Sequence, residues 1–370
     1  MNANANIEFL NPAGFAASGS IGSRLLAAKG DHNALRPFIG ADGRSYISVQ
    51  NGKFDDKGQA LYDARLIGNA GAILSKQEWQ YLDAALIRVA KPRLKLVNAM
   101  RAAGMTRAFP NAYNHSVYQY ERISDIDDAT ISMSAKSNLT NDRATTDIIN
   151  LPLPLIHKEF TFEAREIAIS RNSGQPLSTT NLELGAEKIA EAIEKLVLGT
   201  WGTYAYGGGT LTGLINSPNR VTGAFLNTTV SGWTPVMLYN SVIAMIAAAL
   251  GKNQYGPFDL YYSTGLMAPM MRMFSDQYGA GSLISNLKAL PSLNSVEMLD
   301  YLTGNQLLLV QRKPSTASVL VGMDMKVVQW TTDGGETENF RLMAMMIPLV
   351  PVDQLNQSGI VHFTGNATTV

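Results

Sequence analysis

The spacing of apolar residues predicts three amphipathic helices, of which the first begins at a capping-box sequence. In Ser75-Lys76-Gln77-Glu78 the serine hydroxyl and the glutamate carboxylate can each accept a backbone N–H at the start of a helix. Pro92 is expected to end or kink this helix. The apolar residues at helical spacing, which we interpret as core packing, are Trp79, Leu82, Leu86 and Val89.

The second helix gives the clearest pattern in the chain. It follows another capping-box sequence, Thr180-Asn181-Leu182-Glu183, and Gly199 can close its C-terminal end. Its apolar stripe consists of Leu182, Ala186, Ile189, Ile193, Leu196 and Val197, and its opposite face carries Glu187, Glu191 and Lys195.

The third helix is predicted from Thr234-Pro235, an N-cap followed by proline at the first helical position, to Gly251. Its predicted core-facing stripe consists of Val236, Tyr239, Ile243, Ile246 and Leu250.

Between residues 116 and 170 the apolar pattern changes to a period of two, which is typical of strands. A polar stretch at 134–147 has the composition of an exposed loop tip. We interpret the segment as an extended two-stranded arm, and because an isolated hairpin is marginally stable in water, the arm should lie on another surface. The predicted strands are Val117–Tyr120, Ile131–Met133 and Glu159–Glu163.

Residues 258–363 alternate between short strands and short helices, which together with the third helix predicts a compact α+β or α/β middle domain. Asp333-Gly334-Gly335 is predicted to be a hairpin turn. The methionines at 267, 270, 271 and 273 indicate adaptable packing rather than metal ligation. Strands are predicted at 258–262, 296–302, 306–311, 318–322, 326–330, 340–347 and 360–363, and helices at 266–274 and 283–290.

Residues 1–74 are rich in Gly, Ala and Asn and show no helical period. Such a segment is commonly a disordered terminus. The alternative is an arm across a neighbouring subunit, since 74 extended residues reach about 240 Å whereas a body of about 300 residues has a radius of gyration near 19 Å.

Composition excludes several classes of protein. The chain has 370 residues, 30 basic and 30 acidic side chains and no cysteine, which rules out thiolate chemistry and cysteine-ligated metals. Zero net charge argues against binding nucleic acid mainly through phosphate contacts. The charged fraction of 16% is low for a soluble chain, for which about 25% is typical, and suggests that much surface is covered by other subunits.

The N-terminal sequence has no signal-peptide pattern, and no apolar run approaches the roughly 20 residues of a membrane span. We therefore expect a protein made in the cytoplasm, without a membrane partner.

No arrangement of residues points to catalysis, a metal or a cofactor. The four histidines, His32, His115, His157 and His362, lie in unrelated segments without ligand-spaced partners. The glycine-rich run 207–213 lacks the Gly-Lys-Ser/Thr of a phosphate loop and is interpreted as a flexible surface loop. Asp125, Asp127 and Asp128 can bind a hard cation, but such clusters are more often solvated turns.

Three segments, in this order, resemble the encapsulin (linocin-like) branch of the capsid proteins with the Hong Kong 97 phage fold. Residues 74–83, which include Trp79, resemble the tryptophan-bearing N-terminal helix of encapsulins. Residues 153–162, continuing through Arg171, Gly174 and Pro176, resemble the extended loop that leads into the spine helix at Thr180. Residues 211–215 resemble the Gly-Leu segment after that helix.

The resemblance implies an α+β Hong Kong 97-like capsid fold with four parts. These are an N-terminal arm at 1–74, a peripheral domain at 75–119, 179–233 and 317–370, an extended loop at 120–178, and an axial domain at 234–316. In such shells the extended loop lies over a neighbouring subunit, which would answer the stability problem of the predicted arm.

Encapsulins begin close to the tryptophan helix, whereas 74 residues precede it here. Tailed-phage capsid proteins commonly have a long N-terminal arm, so the resemblance favours a structural, non-enzymatic major capsid protein that encloses double-stranded DNA. The alternatives are an encapsulin nanocompartment around a cargo enzyme and, as a third class, a hydrolase or bacteriocin-like activity. Some relatives crosslink their subunits through Lys and Asn; Lys136 lies in the predicted loop tip, but no crosslinking partner can be assigned to it.

The main expected partner is the protein itself, as hexamers and pentamers of an icosahedral virion shell. Portal, scaffold and decoration proteins are further possible partners, and packaged DNA would make no sequence-specific contacts. Deleting residues 1–70 is expected to leave a folded subunit with impaired assembly. The residues expected at subunit interfaces are Phe9, Leu10, Leu25, Leu26, Tyr46, Ile131, Met133, Lys136, Phe160 and Phe162.

Overall fold

The computed structural model describes residues 36–54, 60–66, 74–110, 112–124, 131, 143–172, 180–225, 234–274, 281–351 and 358–365. The described part is an α+β fold with two main sheets, one of four and one of five strands. A three-stranded sheet and two two-stranded ribbons are attached to them.

A three-stranded antiparallel sheet lies within the segment predicted to be an arm without regular structure. Its strands are β1 (Phe38–Ile39), β2 (Ser45–Phe54) and β3 (Ala60–Leu66). The alternation in Ser45-Tyr46-Ile47-Ser48-Val49 is short, but it places Ile47 on the buried side with only 3% of its surface exposed.

The first predicted helix is α1 (Lys76–Arg93), and its capping box is present as expected. The Ser75 hydroxyl accepts the Glu78 N–H at 3.2 Å, and the Glu78 carboxylate accepts the Ser75 N–H at 2.7 Å. Pro92 lies inside the last turn, and the chain turns at Leu94 into α2 (Lys95–Ala102).

The extended arm contains the predicted strand at 117–120, but its partner strand is not one that the sequence predicted. Its two-stranded ribbon pairs β5 (Val117–Ile123) with β6 (Thr146–Pro152), a strand that the pattern missed. The predicted strand at 159–163 is β7 (Ile156–Glu163), which pairs with β15 (Thr337–Leu349) in the four-stranded sheet. The predicted strand at 131–133 lies almost wholly outside the described residues.

The four-stranded sheet has the order β4-β14-β15-β7, where β4 is Thr106–Ala108 and β14 is Ser318–Thr332. The two predicted strands at 318–322 and 326–330 are one strand with irregular register around Met323. Asp333-Gly334-Gly335 forms the turn to β15, as predicted, with Gly334 at a φ of 69°.

Helix α3 (Ala164–Asn172) follows β7, and α4 (Thr180–Leu198) lies across the four-stranded sheet beside α1. The predicted α4 stripe is confirmed, because all six of its apolar residues are buried. Ion pairs of Arg88 with Glu183 and of Arg93 with Glu187 join the outer faces of α1 and α4.

Residues 204–211 form a hairpin, so most of the glycine-rich run predicted to be a flexible loop has regular structure. Its strands are β8 (Tyr204–Tyr206) and β9 (Gly209–Leu211). Gly207 and Gly208 form the turn with φ of 61° and 77°, values that glycine adopts without steric cost.

The five-stranded sheet has the order β10-β16-β13-β11-β12. Two of its strands, β10 and β16, come from segments that the sequence assigned to the peripheral domain, so the sheet extends beyond residues 234–316. The strands are β10 (Val221–Ala224), β11 (Phe258–Ser263), β12 (Leu293–Leu299), β13 (Gln306–Gln311) and β16 (Ile360–Thr364).

Three helices accompany this sheet, namely α5 (Pro235–Leu250), α6 (Met267–Met271) and α7 (Leu283–Lys288). Helix α5 begins at the predicted N-cap, where the Thr234 hydroxyl accepts the Met237 N–H at 3.3 Å. Its predicted stripe is only partly correct: Tyr239 and Ile246 are half-buried against the core, but Ile243 and Leu250 are each 44% exposed, and the fully buried residues are Leu238, Val242, Met245 and Ala249.

Candidate interaction surfaces

Residues 36–39 lie against the start of α1 and cover Trp79. The Trp79 indole N–H donates to the Pro37 carbonyl oxygen at 2.9 Å. The Arg36 guanidinium lies 4.4 Å from the centroid of the Trp79 ring and forms an ion pair with Asp83 at 2.8 Å. Trp79 is only 5% exposed, so its surroundings are filled by the chain itself.

The base of the β5–β6 ribbon is held by the β8–β9 hairpin through Asn150. The Asn150 side-chain amide donates to the Gly207 carbonyl oxygen at 3.1 Å and accepts from the Gln119 amide at 3.0 Å. Beyond this base, Ile148 is 68% exposed. The ribbon therefore carries an apolar side chain that the described part of its own chain does not cover.

Gly209 is required where the hairpin meets the ribbon, so we expect Gly209→Ala to lower the free energy of unfolding by about 1–3 kcal/mol. An added Cβ would overlap the Asn150 backbone oxygen and lie 2.6 Å from its carbonyl carbon. Urea unfolding of the isolated subunit measures the loss, and protease cleavage within the ribbon should become faster.

Gly251→Ala is the matched control for this substitution. Gly251 has a φ of −64°, and the nearest atoms to an added Cβ lie at 3.6 Å. This variant should be as stable as the parent or more stable by up to about 1 kcal/mol. Equal losses in the two variants would contradict the role of close packing at Gly209.

A buried carboxylate joins α4 to the start of α2. Glu194 is 3% exposed and accepts the backbone N–H of Leu96 at 2.6 Å and that of Val97 at 3.4 Å. Burial raises the pKa of Glu194 to about 7; the two N–H groups act against this rise, Asp300 adds to it and Lys95 opposes it. The sequence placed charged residues on the outer face of α4 but gave no sign that Glu194 faces inward.

Of the residues expected at subunit interfaces, the described ones lie in different environments. Ile131 is fully exposed, whereas Tyr46 stacks on Phe38 with ring centroids 6.0 Å apart. Phe160 and Phe162 both pack on Phe340 within the chain, and Phe162 is only 8% exposed. Phe162 therefore belongs to the core of its own chain, and the interface role of these residues stays a prediction. Phe9, Leu10, Leu25, Leu26, Met133 and Lys136 lie outside the described residues.

Exposed large apolar side chains occur on several elements of the described part of the chain. On the peripheral side they are Tyr81, Ile87, Ile169, Leu184, Trp201, Tyr204 and Tyr206, and beside the five-stranded sheet they are Ile243, Leu250, Tyr255, Met267, Met271 and Met273. Met270, in contrast, is fully buried, so the predicted packing role of the methionine run holds for that residue and not for its neighbours.

Among the described residues, His362 is the buried histidine. Its hydrogen bonds indicate a structural role. Its Nε2 lies 2.9 Å from the Gln306 side-chain oxygen, and its Nδ1 accepts from the Arg220 guanidinium at 3.4 Å. Burial, together with the positive charge of Arg220, lowers the pKa of His362 to about 4. The ring is therefore neutral at physiological pH and serves as a hydrogen-bonding group between β16 and β13.

Within the described ranges no group of three or more His, Asp or Glu side chains is arranged to hold a metal ion. Nor does any helix there combine the length and apolar character that a membrane crossing requires. The aspartates at 125, 127 and 128 lie outside the described residues.

A family model described as "Family of unknown function (DUF6260)" matches residues 69–363 of the chain. No curated protein has a matching sequence.

Solved structures match the fold over most of their length. A virus-like particle protein from Pyrococcus furiosus is 14% identical with a TM-score of 0.52, and the match covers 77% of this chain and 98% of that one. The capsid protein of Myoviridae phage XM1 is 12% identical with a TM-score of 0.55, covering 72% and 91%. The capsid of a native GTA particle is 11% identical with a TM-score of 0.51, covering 72% and 90%. The chain therefore has the Hong Kong 97-like capsid fold.

Proposed function

The chain belongs to DUF6260, a family of unknown function, and we propose that it is a structural capsid protein whose copies assemble into an icosahedral shell. The observation that carries the proposal is the fold, which matches 98% of the chain of a virus-like particle protein. The exposed Ile148 of the β5–β6 ribbon and the exposed Ile243 and Leu250 of α5 agree with it, because a shell protein needs uncharged surface that neighbouring copies cover.

The shell is proposed to be that of a tailed-phage virion enclosing double-stranded DNA, made in the host cytoplasm. Equal numbers of acidic and basic residues suit a wall that contains DNA without reading its phosphates or its sequence. Hexamers and pentamers of the chain would form the lattice, and portal, scaffold and decoration proteins are the further partners of this proposal.

A nanocompartment around a cargo enzyme is the second candidate. The surface around Trp79, which resembles the cargo-binding region of encapsulins, is filled by Arg36 and Pro37 of the same chain. A cargo peptide would have to displace these contacts, and this favours the virion shell. An enzymatic role is not part of the proposal, because no nucleophile and base can be paired among the described residues.

Electron microscopy of the expressed and purified protein tests the proposal. We expect closed particles, and nuclease-resistant DNA in particles purified from an infected or induced host. Small particles filled with an enzyme would support the nanocompartment. A monodisperse monomer or dimer under all assembly conditions would overturn both candidates.

Truncation of the N-terminal arm is expected to separate assembly from folding. Deleting residues 1–35 keeps Arg36 and Pro37 on Trp79, so the subunit should remain folded while the yield of closed particles falls. Deleting residues 1–70, which the sequence predicted to leave the fold intact, also removes the cation–π contact and the hydrogen bond at Trp79. It should lower the free energy of unfolding by about 2 kcal/mol.

Circular dichroism and urea unfolding measure the fold of both truncated chains, and electron microscopy measures their particles. Normal, equally stable shells from the shorter deletion would contradict an assembly role for residues 1–35. Equal unfolding free energies for the two truncated chains would contradict the stabilising role of residues 36–39.

A further inference from the structure

Helix α5 carries no charged residue in its 16 positions, and Asn240 and Ser241 are its most polar side chains. One side of the helix packs on the five-stranded sheet through Leu238, Val242 and Met245. The other side exposes Asn240, Ile243, Ala247 and Leu250, of which Ile243 and Leu250 are each 44% exposed. A surface helix of a monomeric protein presents polar residues to solvent, and an all-apolar helix is normally buried on every side.

The contrast with α4 shows that this is a local property of α5. The outer face of α4 carries Glu187, Lys188 and Glu191, with an ion pair between the last two at 3.3 Å. The chain therefore places charge on a helix face that meets water. The absence of charged residues along α5 indicates that the outer face of this helix is covered by another surface when the protein is assembled.

A groove of about 540 Å³ adjoins the N-terminal half of α5. Tyr239 and Phe274 form one wall, with ring centroids 5.1 Å apart. No charged side chain lines the groove, so it offers nothing to a phosphate or to a charged peptide. An apolar side chain fits it, with amide groups available for a few hydrogen bonds. The lining residues are Val236, Tyr239, Asn240, Phe274, Asn286, Ala289 and Leu290.

A second surface, rich in methionine and with Arg272 exposed between Met271 and Met273, lies on and after α6. Met267, Met271 and Met273 are 41%, 57% and 68% exposed, although Met270 between them is fully buried. Methionine is unbranched and flexible, so it can enter an irregular apolar groove with little steric cost. The helices beside the five-stranded sheet therefore carry both an uncharged groove next to α5 and a set of methionine side chains that are able to fill such a groove.

We propose that the outer face of α5 and its groove bind the α6 methionine surface of a second copy of this chain, in a head-to-tail contact. Because the two surfaces differ, each copy can use both at once, and such heterologous contacts close into rings when the rotation between copies allows it. This inference rests on the proposed shell function, which supplies the second copy.

The size of the surface agrees with a contact inside an assembly. A helix of 16 residues is about 24 Å long and about 10 Å wide, so one side offers on the order of 400 Å². A stable two-chain interface needs roughly 800 Å² from each partner. The α5 face alone is too small for a lasting dimer, but in a closed ring each copy is held by two such contacts, one through α5 and one through its methionine surface.

Disulfide crosslinking tests the contact directly, because the chain has no cysteine of its own. The double variant Ile243→Cys with Met271→Cys, assembled and oxidised, should give a ladder of covalent oligomers in denaturing gels, whereas each single variant should give none. The control pair is Ile169→Cys with Met271→Cys, in which the exposed Ile169 of α3 replaces the α5 position and no ladder is expected.

Three results would overturn the inference. Covalent dimers from Ile243→Cys alone would show a symmetric contact of α5 with itself. Closed particles of the double variant without a ladder would leave the shell function intact and remove this interface from it. Failure of the parent protein to form particles at all would remove the shell function and this interface together.

Substitution at the same helix gives a second readout that does not depend on crosslinking geometry. Ile243→Asp should leave the unfolding midpoint of the isolated subunit unchanged, since the side chain is 44% exposed, but reduce particle yield roughly tenfold or more by placing an unpaired carboxylate in the contact. Ile243→Leu keeps the face apolar and should assemble normally. Normal particle yield from Ile243→Asp would contradict the proposal.

Discussion

Replacing Phe340 with alanine is expected to lower the free energy of unfolding of the subunit by about 3–5 kcal/mol. Phe340 is 1% exposed and lies on β15 beneath α1. Its ring stacks on Phe160 with centroids 5.5 Å apart and meets the edges of Phe162 at 5.7 Å and Trp79 at 6.5 Å. The truncation therefore empties a site at which a helix and two strands meet, and a cavity there cannot collapse without moving all three.

Urea unfolding of subunits kept apart by low concentration measures this loss. Ile169→Ala is the matched control, since it also removes a large apolar side chain but from a position that is 58% exposed, and it should change the stability by less than about 0.5 kcal/mol. A loss below about 1 kcal/mol for Phe340→Ala would mean that the aromatic cluster does not hold the sheet to α1.

The parts of the fold that the sequence predicted best are those whose signals are local. The Ser75 capping box needs only four consecutive residues, and both of its hydrogen bonds are present. The α4 stripe repeats over about four turns with charges on the other side, so one orientation of the helix fits it. Both features are complete within one element and do not depend on distant partners.

Helix α5 shows why a strong apolar signal can still give the wrong face. Because no charged residue marks its solvent side, several stripes of equal hydrophobicity exist, and the contacts of the five-stranded sheet select the one through Leu238, Val242 and Met245. Of the stripe that the sequence selected, Tyr239 and Ile246 pack partly on the core, whereas Ile243 and Leu250 remain exposed and available to another chain. When a helix offers more than one apolar stripe, as α5 does, the stripe that does not pack on its own chain is a candidate interface.

Strand β6 was missed for a different reason. Its exposure changes gradually along the strand, from exposed at Thr146 to buried at Leu151, instead of alternating with a period of two. The strand leaves the body of the protein at one end and enters it at the other. Only its register with β5, which pairs Tyr118 with Leu151, identifies it.

The burial of Glu194 could not be predicted from the sequence, because its hydrogen-bond partners are about 100 residues away in the chain. The N–H groups of Leu96 and Val97 belong to α2, and nothing in the α4 pattern separates Glu194 from Glu187 and Glu191 on the exposed side. The position differs from its neighbours only once α2 is packed against α4.

Because Glu194 is buried, we expect the free energy of unfolding of the subunit to fall as the pH rises. The pKa of Glu194 is about 7 in the folded chain against 4.5 for a free side chain. Between these values the folded protein holds a proton that the unfolded chain has released, so raising the pH favours unfolding. The contribution is complete below about pH 4.5 and is lost by about pH 7, and the gap of about 2.5 pH units corresponds to about 3 kcal/mol.

Glu194→Gln should remove this pH dependence, because glutamine presents a neutral oxygen to the Leu96 N–H at every pH. The free energy of unfolding of the variant minus that of the parent should therefore rise by up to about 3 kcal/mol between pH 4.5 and pH 8, measured by urea unfolding of the isolated subunit. His362, with its lowered pKa, adds a pH dependence of opposite sign, but it is common to both proteins and cancels in the difference. A difference that stays constant over this range would mean that Glu194 is ionised in the folded subunit throughout, with the two α2 N–H groups compensating fully for its burial.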